Sequence, residues 1–479
     1  MLSFWQLGMP RKWQQECSVI RLTFGGNTHD TNYFNCKKCI MKIKLLIFLC
    51  LAGSVLKAQQ APIQYFRPND KRGINVFETT KEDTILFTGI KVRIGGNFTQ
   101  DFQGLNHQNN ATPVIDANGV NKNQLVALKN GFNLAMANLN IDAQLDDGIR
   151  MNLTMYLSSR HHEETWVKGG YIQFDKLPFF KSAVIDNIME SVTIRVGDYE
   201  IDYGDQHFRR SDGGNAIYNP FVENYIMDAF ATEIGGEAYY HPKNGLLVMV
   251  GITNGQLNPT VLAPTKIDSA TGQLNKYSPA FHGKLGFDKQ FNDDFRLRIT
   301  GSVYIVKSAA SNTLFSGDRT GSRYFYVIEN TTANSVDNFR SGRYTPQFSQ
   351  QVTTFMINPF VKFKGLELFG TYEVAQGRTI IEPELRTATQ YAVDLIYRFP
   401  QDKENFWIGG RYNSVTAALP LNPNDITINR AVGSVGWFAT KNIVLKAEYV
   451  NQQYKKFTSS DIRSGGKFDG FMVEASIGF

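Results

Sequence analysis

The stretch Lys467-Phe-Asp-Gly-Phe-Met-Val-Glu-Ala-Ser-Ile-Gly-Phe479 decides how this chain is read. Phe471, Val473, Ala475, Ile477 and Phe479 take every second position, and Met472, Glu474, Ser476 and Gly478 between them are mostly polar or small. In an extended chain successive side chains point to opposite faces. This is therefore a strand with one apolar face and one largely polar face.

The same pattern recurs upstream. Ile90, Val92 and Ile94 alternate with Lys91 and Arg93. Ile149, Met151, Leu153, Met155 and Leu157 alternate with Arg150, Asn152, Thr154, Tyr156 and Ser158. Phe295, Leu297, Ile299 and Val303 alternate with Arg296, Arg298, Thr300 and Ser302, and further faces run through 391–399 and 443–449. A half-buried strand of a soluble sandwich also alternates. The number and length of these runs, and the lack of any segment with clean helical periodicity, point instead to an all-β transmembrane antiparallel barrel. Its outer face meets lipid and its inner face meets water.

Connections alternate in length. Short ones fall at 146–148, 241–245, 292–294, 364–365, 400–405 and 439–442. Long polar ones fall at 104–125, 205–224, 255–278, 308–350, 378–386, 417–426 and 456–467. Short periplasmic turns and long external loops are the outer-membrane pattern. About sixteen strands fit between them, among them 88–103, 128–145, 191–204, 225–241, 351–363 and 443–455. An even count puts both ends of the barrel on the periplasmic side. The connection 177–190 is longer than the other turns, and 321–329 can form a hairpin arm within its loop.

Only Leu45 to Val55 is continuously apolar, and it follows the basic start Met41-Lys42-Ile43-Lys44. A basic start, a short apolar core and small residues up to Ala58 make 41–58 a signal peptide. Residues 1–40 are then expected to be a mis-annotated N-terminal extension, the rival being a genuine cytoplasmic extension. The expected layout continues with a periplasmic N-terminal segment at 59–84 and the barrel at 85–479. Cys17, Cys36, Cys39 and Cys50 all precede residue 59, so the exported chain has no cysteine. Of 50 Lys/Arg and 44 Asp/Glu residues, eight and two lie in 1–58, which leaves 42 of each. The net charge of +6 belongs to the leader, and a nucleic-acid partner loses its support.

A barrel of this size leaves an aqueous lumen. The implied activity is passive diffusion of small hydrophilic solutes, with no cofactor and no metal. His161-His162-Glu163-Glu164 reads as a solvated loop tip and not as a metal site, because its spacing fixes no ligand shell. No nucleophile–histidine pair or phosphate loop stands out, although an enzyme or adhesin using the long loops is the alternative class. The segment 204–224 is the third external loop and carries Arg209 and Arg210. Guanidinium groups at a constriction attract phosphate and carboxylate; the other reading pairs these arginines with Asp205 and Asp212. Lys91, Arg93, Arg150, Arg296 and Arg298 are further inward cations and candidate anion contacts.

The terminal strand, with Phe471, Val473, Ala475, Ile477 and Phe479, resembles the signal read by the barrel-assembly machinery. Phe66-Arg-Pro-Asn-Asp-Lys-Arg-Gly-Ile-Asn-Val-Phe77, Val92-Arg-Ile-Gly-Gly96, Leu157-Ser-Ser-Arg-His-His162 and Phe208-Arg-Arg-Ser-Asp212 together resemble the phosphate-selective O/P porins of Bacteroidetes. That resemblance covers most of 60–479. It implies a sixteen-stranded barrel in the outer membrane of a Gram-negative bacterium, a homotrimer and anion-preferring diffusion, with phosphate or polyphosphate selectivity as the alternative. The family's arginine ladder does not map onto this sequence by motif.

Overall fold

The structure, a computed structural model, describes residues 60–160, 164–258, 260–420 and 424–479. The expected leader and the histidines of the 161–164 tip lie outside the described residues. Sixteen strands follow in order: β1 (Lys91–Gln108), β2 (Met136–Asp146), β3 (Ile149–Leu157), β4 (Trp166–Phe174), β5 (Val192–Glu200), β6 (Thr232–Tyr240), β7 (Leu246–Thr253) and β8 (Ala280–Asn292). The second half continues with β9 (Phe295–Val306), β10 (Gln351–Phe363), β11 (Leu366–Arg378), β12 (Arg386–Phe399), β13 (Phe406–Ala417), β14 (Ile426–Phe438), β15 (Ile443–Lys455) and β16 (Lys467–Gly478). A two-residue piece, Gly131–Phe132, pairs with β1 just before β2 and is the frayed start of that strand.

Every strand is antiparallel to its neighbours, and β1 pairs with both β2 and β16, so the sheet closes. Closure leaves no edge strand, so the backbone of the wall is satisfied by pairing between neighbouring strands. Alternation sorts the side chains as the sequence demands. On β16 Phe471 is 64% exposed on the outside, while Met472 and Glu474 are fully buried inside. On β12 Tyr391, Val393, Leu395 and Tyr397 face out, and Gln390, Asp394 and Arg398 face in. Among the described residues no helix is long and apolar enough to cross a membrane.

Four expected elements differ, the first being the strand expected at 128–145, which begins only at Met136 after the two-residue piece. The strand expected at 191–204 ends at Glu200, and the one expected at 225–241 begins only at Thr232. Residues 225–231 read Tyr-Ile-Met-Asp-Ala-Phe-Ala, an apolar run suited to a strand, yet they leave the wall and cross the lumen. Wall side chains replace the missing ladder: the Ile226 amide donates to Asn413 Oδ1 at 2.6 Å and the Met227 amide to Gln390 Oε1 at 2.9 Å. Segment 321–329 forms no strand; Tyr326 and Ile328 sit at φ +60° and +55°, which breaks an extended arm. The connection 175–191 carries a 3₁₀ turn, Pro178–Phe180, and a short helix α1, Ala183–Met189.

Residues 60–85 run across the short-turn mouth of the barrel. The Lys71 amide donates to the Lys441 carbonyl at 2.8 Å, Gln64 Nε2 to Asp147 at 2.9 Å, and Lys81 Nζ to the Val192 carbonyl at 2.9 Å. These contacts fall on turns spread around the whole rim, so the segment is a strap and not a free tail.

Candidate functional site: a braced lumen and the passage beside it

The 201–231 loop fills much of the barrel interior. An irregular buried segment has no ladder to satisfy its carbonyls, and each one left alone costs free energy. The wall from β10 to β16 meets that need. Lys446 Nζ donates to the carbonyls of Ala216, Asn219 and Phe221 at 3.0, 3.1 and 3.2 Å. Trp407 Nε1 donates to the Pro220 carbonyl at 3.1 Å. Arg411 donates to the Glu223 carbonyl at 2.9 Å while its fork holds Asp394, and Arg430 donates to the Asn224 carbonyl at 2.6 Å.

Two charge clusters lock this arrangement. Arg343, from the 307–350 loop, donates to Glu223 at 2.6 Å and to Asp228 at 2.9 Å. Arg210 donates to Asp212 at 2.6 Å and binds Asp228 through both terminal nitrogens. Nearer the strap, Arg298 grips Asp205 with a bidentate fork at 2.7 and 2.8 Å. Lys284 Nζ lies between Asp202, Asp205 and Glu78. Burial pushes the Glu78 carboxyl up, but Arg298 and Lys284 overcome this and hold it at about 2.

The cations singled out in the sequence are thus spread over different tasks. Arg210 is a brace inside the loop, as the pairing alternative had it for Asp212; Asp205 pairs with Arg298 instead. Arg209 is buried against the Phe369 ring at 4.8 Å, with Glu367 at 3.7 Å. Arg296 binds Asp288 through two nitrogens and the Asn75 carbonyl of the strap. Lys91 Nζ donates to the Pro62 carbonyl at 3.3 Å. Arg93 lies over the Phe66 ring, and Arg150 donates to Asp142 at 3.0 Å and Gln173 at 3.2 Å. Phe471, Val473, Ala475, Ile477 and Phe479 lie along the outer face of the closing strand and its end.

Open space remains beside the β2–β7 wall. An inner cavity of about 250 Å³ is lined by the strap, by the near face of the 201–231 loop and by these strands. Its charged lining is mixed: Arg67, Arg150, Lys168 and Arg195 face Glu78, Asp142, Asp198, Glu200 and Asp202. Arg195 lies among the rings of Tyr171, Tyr199 and Tyr239, at 4.8, 5.8 and 5.5 Å. An outer cavity of about 260 Å³ opens among the long loops and shares Lys168 and Thr232 with the inner one. Arg160, Lys168, Arg319 and Arg340 line it, and Asp318 is the one carboxylate among its described lining residues. Lys168 pairs with Asp318. Arg160 and Arg340 flank the Phe339 ring at 5.0 and 4.9 Å. Burial, then the like charges of Arg160 and Arg343, pull Arg340 below its ordinary value.

Sequence reasoning missed this outer group. Arg319 and Arg340 sit in a long loop whose fold no periodicity encodes.

A closed antiparallel barrel, apolar outside, charged inside, with short turns at one rim and long loops at the other, is an integral protein of the Gram-negative outer membrane. No family model and no curated protein matches the chain, so the likeness to the phosphate-selective O/P porins stays a resemblance. Among solved structures the chain is similar to OmpT of Vibrio cholerae, at 11% identity and TM-score 0.45, covering 83% of this chain and 100% of that one. It is similar to the outer membrane channel DcaP of Acinetobacter baumannii, at 12% identity and TM-score 0.47, covering 82% and 99%. An anion-selective porin from Comamonas acidovorans matches at 9% identity and TM-score 0.46, covering 81% and 100%. At such identities none supplies residue-by-residue counterparts, and the lumen is read from its own side chains.

Proposed function

We propose that the protein is a porin, a channel and not an enzyme, for passive diffusion of small hydrophilic solutes, and that it prefers anions. The observation that carries this is the outer cavity, where four cationic side chains meet one carboxylate and which shares Lys168 with the inner space. A low-dielectric mouth lined by one sign of charge raises the local concentration of the opposite ion. The mixed inner cavity adds little preference, so selectivity is set at entry. Guanidinium groups suit phosphate and polyphosphate, and these are the anions we propose first. A homotrimer, and reading of the Phe471–Phe479 face by the barrel-assembly machinery, complete the proposal.

The test is reversal potential in a KCl gradient across a planar bilayer. The wild type should favour chloride. Replacing Arg160, Arg319 and Arg340 together with glutamine should move the reversal potential toward zero without closing the channel. Cation preference in the wild type, or no channel steps from folded protein, would sink the reading.

A further inference from the structure

The connection between β4 and β5 is unlike the other short-side turns. Those expose polar residues such as Asp146, Lys243, Asp293, Lys364, Asp402 and Lys441. This one exposes Phe179, Phe180, Val184 and Ile188 to 57, 56, 69 and 55%. At about 100° per residue, Val184, Ile188, Ile185 and Met189 form one apolar arc of α1. Asp186, Asn187 and Glu190 occupy the opposite side. Met189, at one end of the arc, is buried, and α1 packs on β5. The far half of the arc, Val184 and Ile188, is left uncovered.

The rest of the same rim shows what lies there. From β8 to β14 the short-side strand ends expose Phe291, Phe363, Phe399, Phe406 and Trp437. The Phe399, Phe406 and Trp437 rings stack at centroid distances of 5.8 and 6.1 Å. Such a girdle sits at the headgroup level of the bilayer. β5 opens with Val192 and Ile194 and offers no ring at its outer start. The Phe179–Phe180 pair, centroids 4.7 Å apart, adds to the one exposed ring there, Tyr240, which pairs with Val192. Lys181, exposed in the link between the 3₁₀ turn and α1, stands beside them as a cation of the kind that reaches lipid phosphate.

We propose that this connection is an interfacial foot: Phe179, Phe180, Val184 and Ile188 enter the headgroup–acyl boundary of the periplasmic leaflet, with phospholipid as the partner. The foot continues the lipid-facing surface of the barrel, whatever solute the lumen passes.

The experiment uses the exported chain, which has no cysteine. Phe180→Cys, Val184→Cys, Ile188→Cys and, as control, Asn187→Cys are spin-labelled and placed in phosphatidylethanolamine–phosphatidylglycerol vesicles. Only material with the heat-modifiable mobility of a folded barrel is measured. Labels at 180, 184 and 188 should collide more with oxygen than with a neutral nickel complex, and the label at 187 the reverse. Nickel access at all four positions would overturn the proposal. So would shielding from both reagents at the three apolar positions, which would assign the face to a second copy or a periplasmic protein. Ile188→Trp gives an independent reading: brominated acyl chains should quench its fluorescence beyond that of the parent, and no added quenching would count against lipid contact.

Discussion

The β10–β16 wall and the β2–β7 wall present the same kinds of side chain to the lumen and use them differently. On the first, Lys446, Trp407, Arg411 and Arg430 are consumed by carbonyls of the 201–231 loop. On the second, Arg150, Lys168 and Arg195 border open space. An inward arginine is therefore not a solute contact by virtue of pointing inward. It becomes one only where the loop leaves the wall. Ion pairing along the strands does not separate the two halves, since Arg411–Asp394 on one matches Asp142–Arg150 on the other; what differs is that Lys446, Trp407, Arg411 and Arg430 also reach loop carbonyls.

The strongest way to break this contrast is to remove the carboxylate that joins the loops. Glu223 holds Arg343 at 2.6 Å and the Ser322 hydroxyl at 2.8 Å. Glu223→Ala leaves a buried guanidinium short of a partner, at about 3–5 kcal/mol. The heat-modifiable transition should fall and single-channel conductance should rise and become noisy as the loops leave the wall. Unchanged values for both would show that the brace is not what seals that half.

A smaller effect is expected from Trp407→Phe, which keeps an aromatic ring but trims the buried indole to a phenyl and removes the donor to Pro220. The cost should be about 1 kcal/mol, read as a modest drop in the same transition. Thr154→Ala on the open side sharpens the comparison. Its hydroxyl lies 3.1 and 3.0 Å from the Asn140 and Asn152 side-chain oxygens beside the inner cavity, where water can take over. Stability should change by no more than about 0.5 kcal/mol, while conductance shifts.

The smallest effect concerns pH and the strap. Glu78 has its folded value depressed from 4.5 to about 2. Its contribution is fully present above the ordinary carboxylate range and is lost as pH falls through about 2. Conductance of the unsubstituted protein should therefore not respond to titration of Glu78 from neutrality down to pH ~3.5, and a strap-dependent opening should appear only in stronger acid. An opening near pH 5 that Glu78→Gln abolishes would contradict the ion-pair assignment.

Much of the wall was legible because a barrel strand declares itself twice, by period and by turn. β10 and β15 span 351–363 and 443–455, the ranges that alternation predicts. The interior was less legible for a physical reason. Residues 225–231 are apolar because they are buried inside a lumen, and composition cannot separate that from a lipid-facing strand. Arg209 and Arg210 are adjacent in sequence, but one lies against Phe369 and the other between Asp212 and Asp228. The local pair Arg210–Asp212 was within reach of the sequence, but long-range contacts, such as Arg343 with Glu223, decide most of which cations are neutralised.

Cysteine accessibility tests the contrast between the two walls most directly. Asn152 lines the inner cavity, and Ser434 donates to the Pro220 carbonyl at 2.6 Å under the loop. With Asn152→Cys a charged methanethiosulfonate reagent should react and reduce the current. With Ser434→Cys in an equally folded protein, the current should stay unchanged under the same exposure. Equal reaction at both positions would show that the loop does not seal its half of the barrel, and the division of the lumen proposed here would fall.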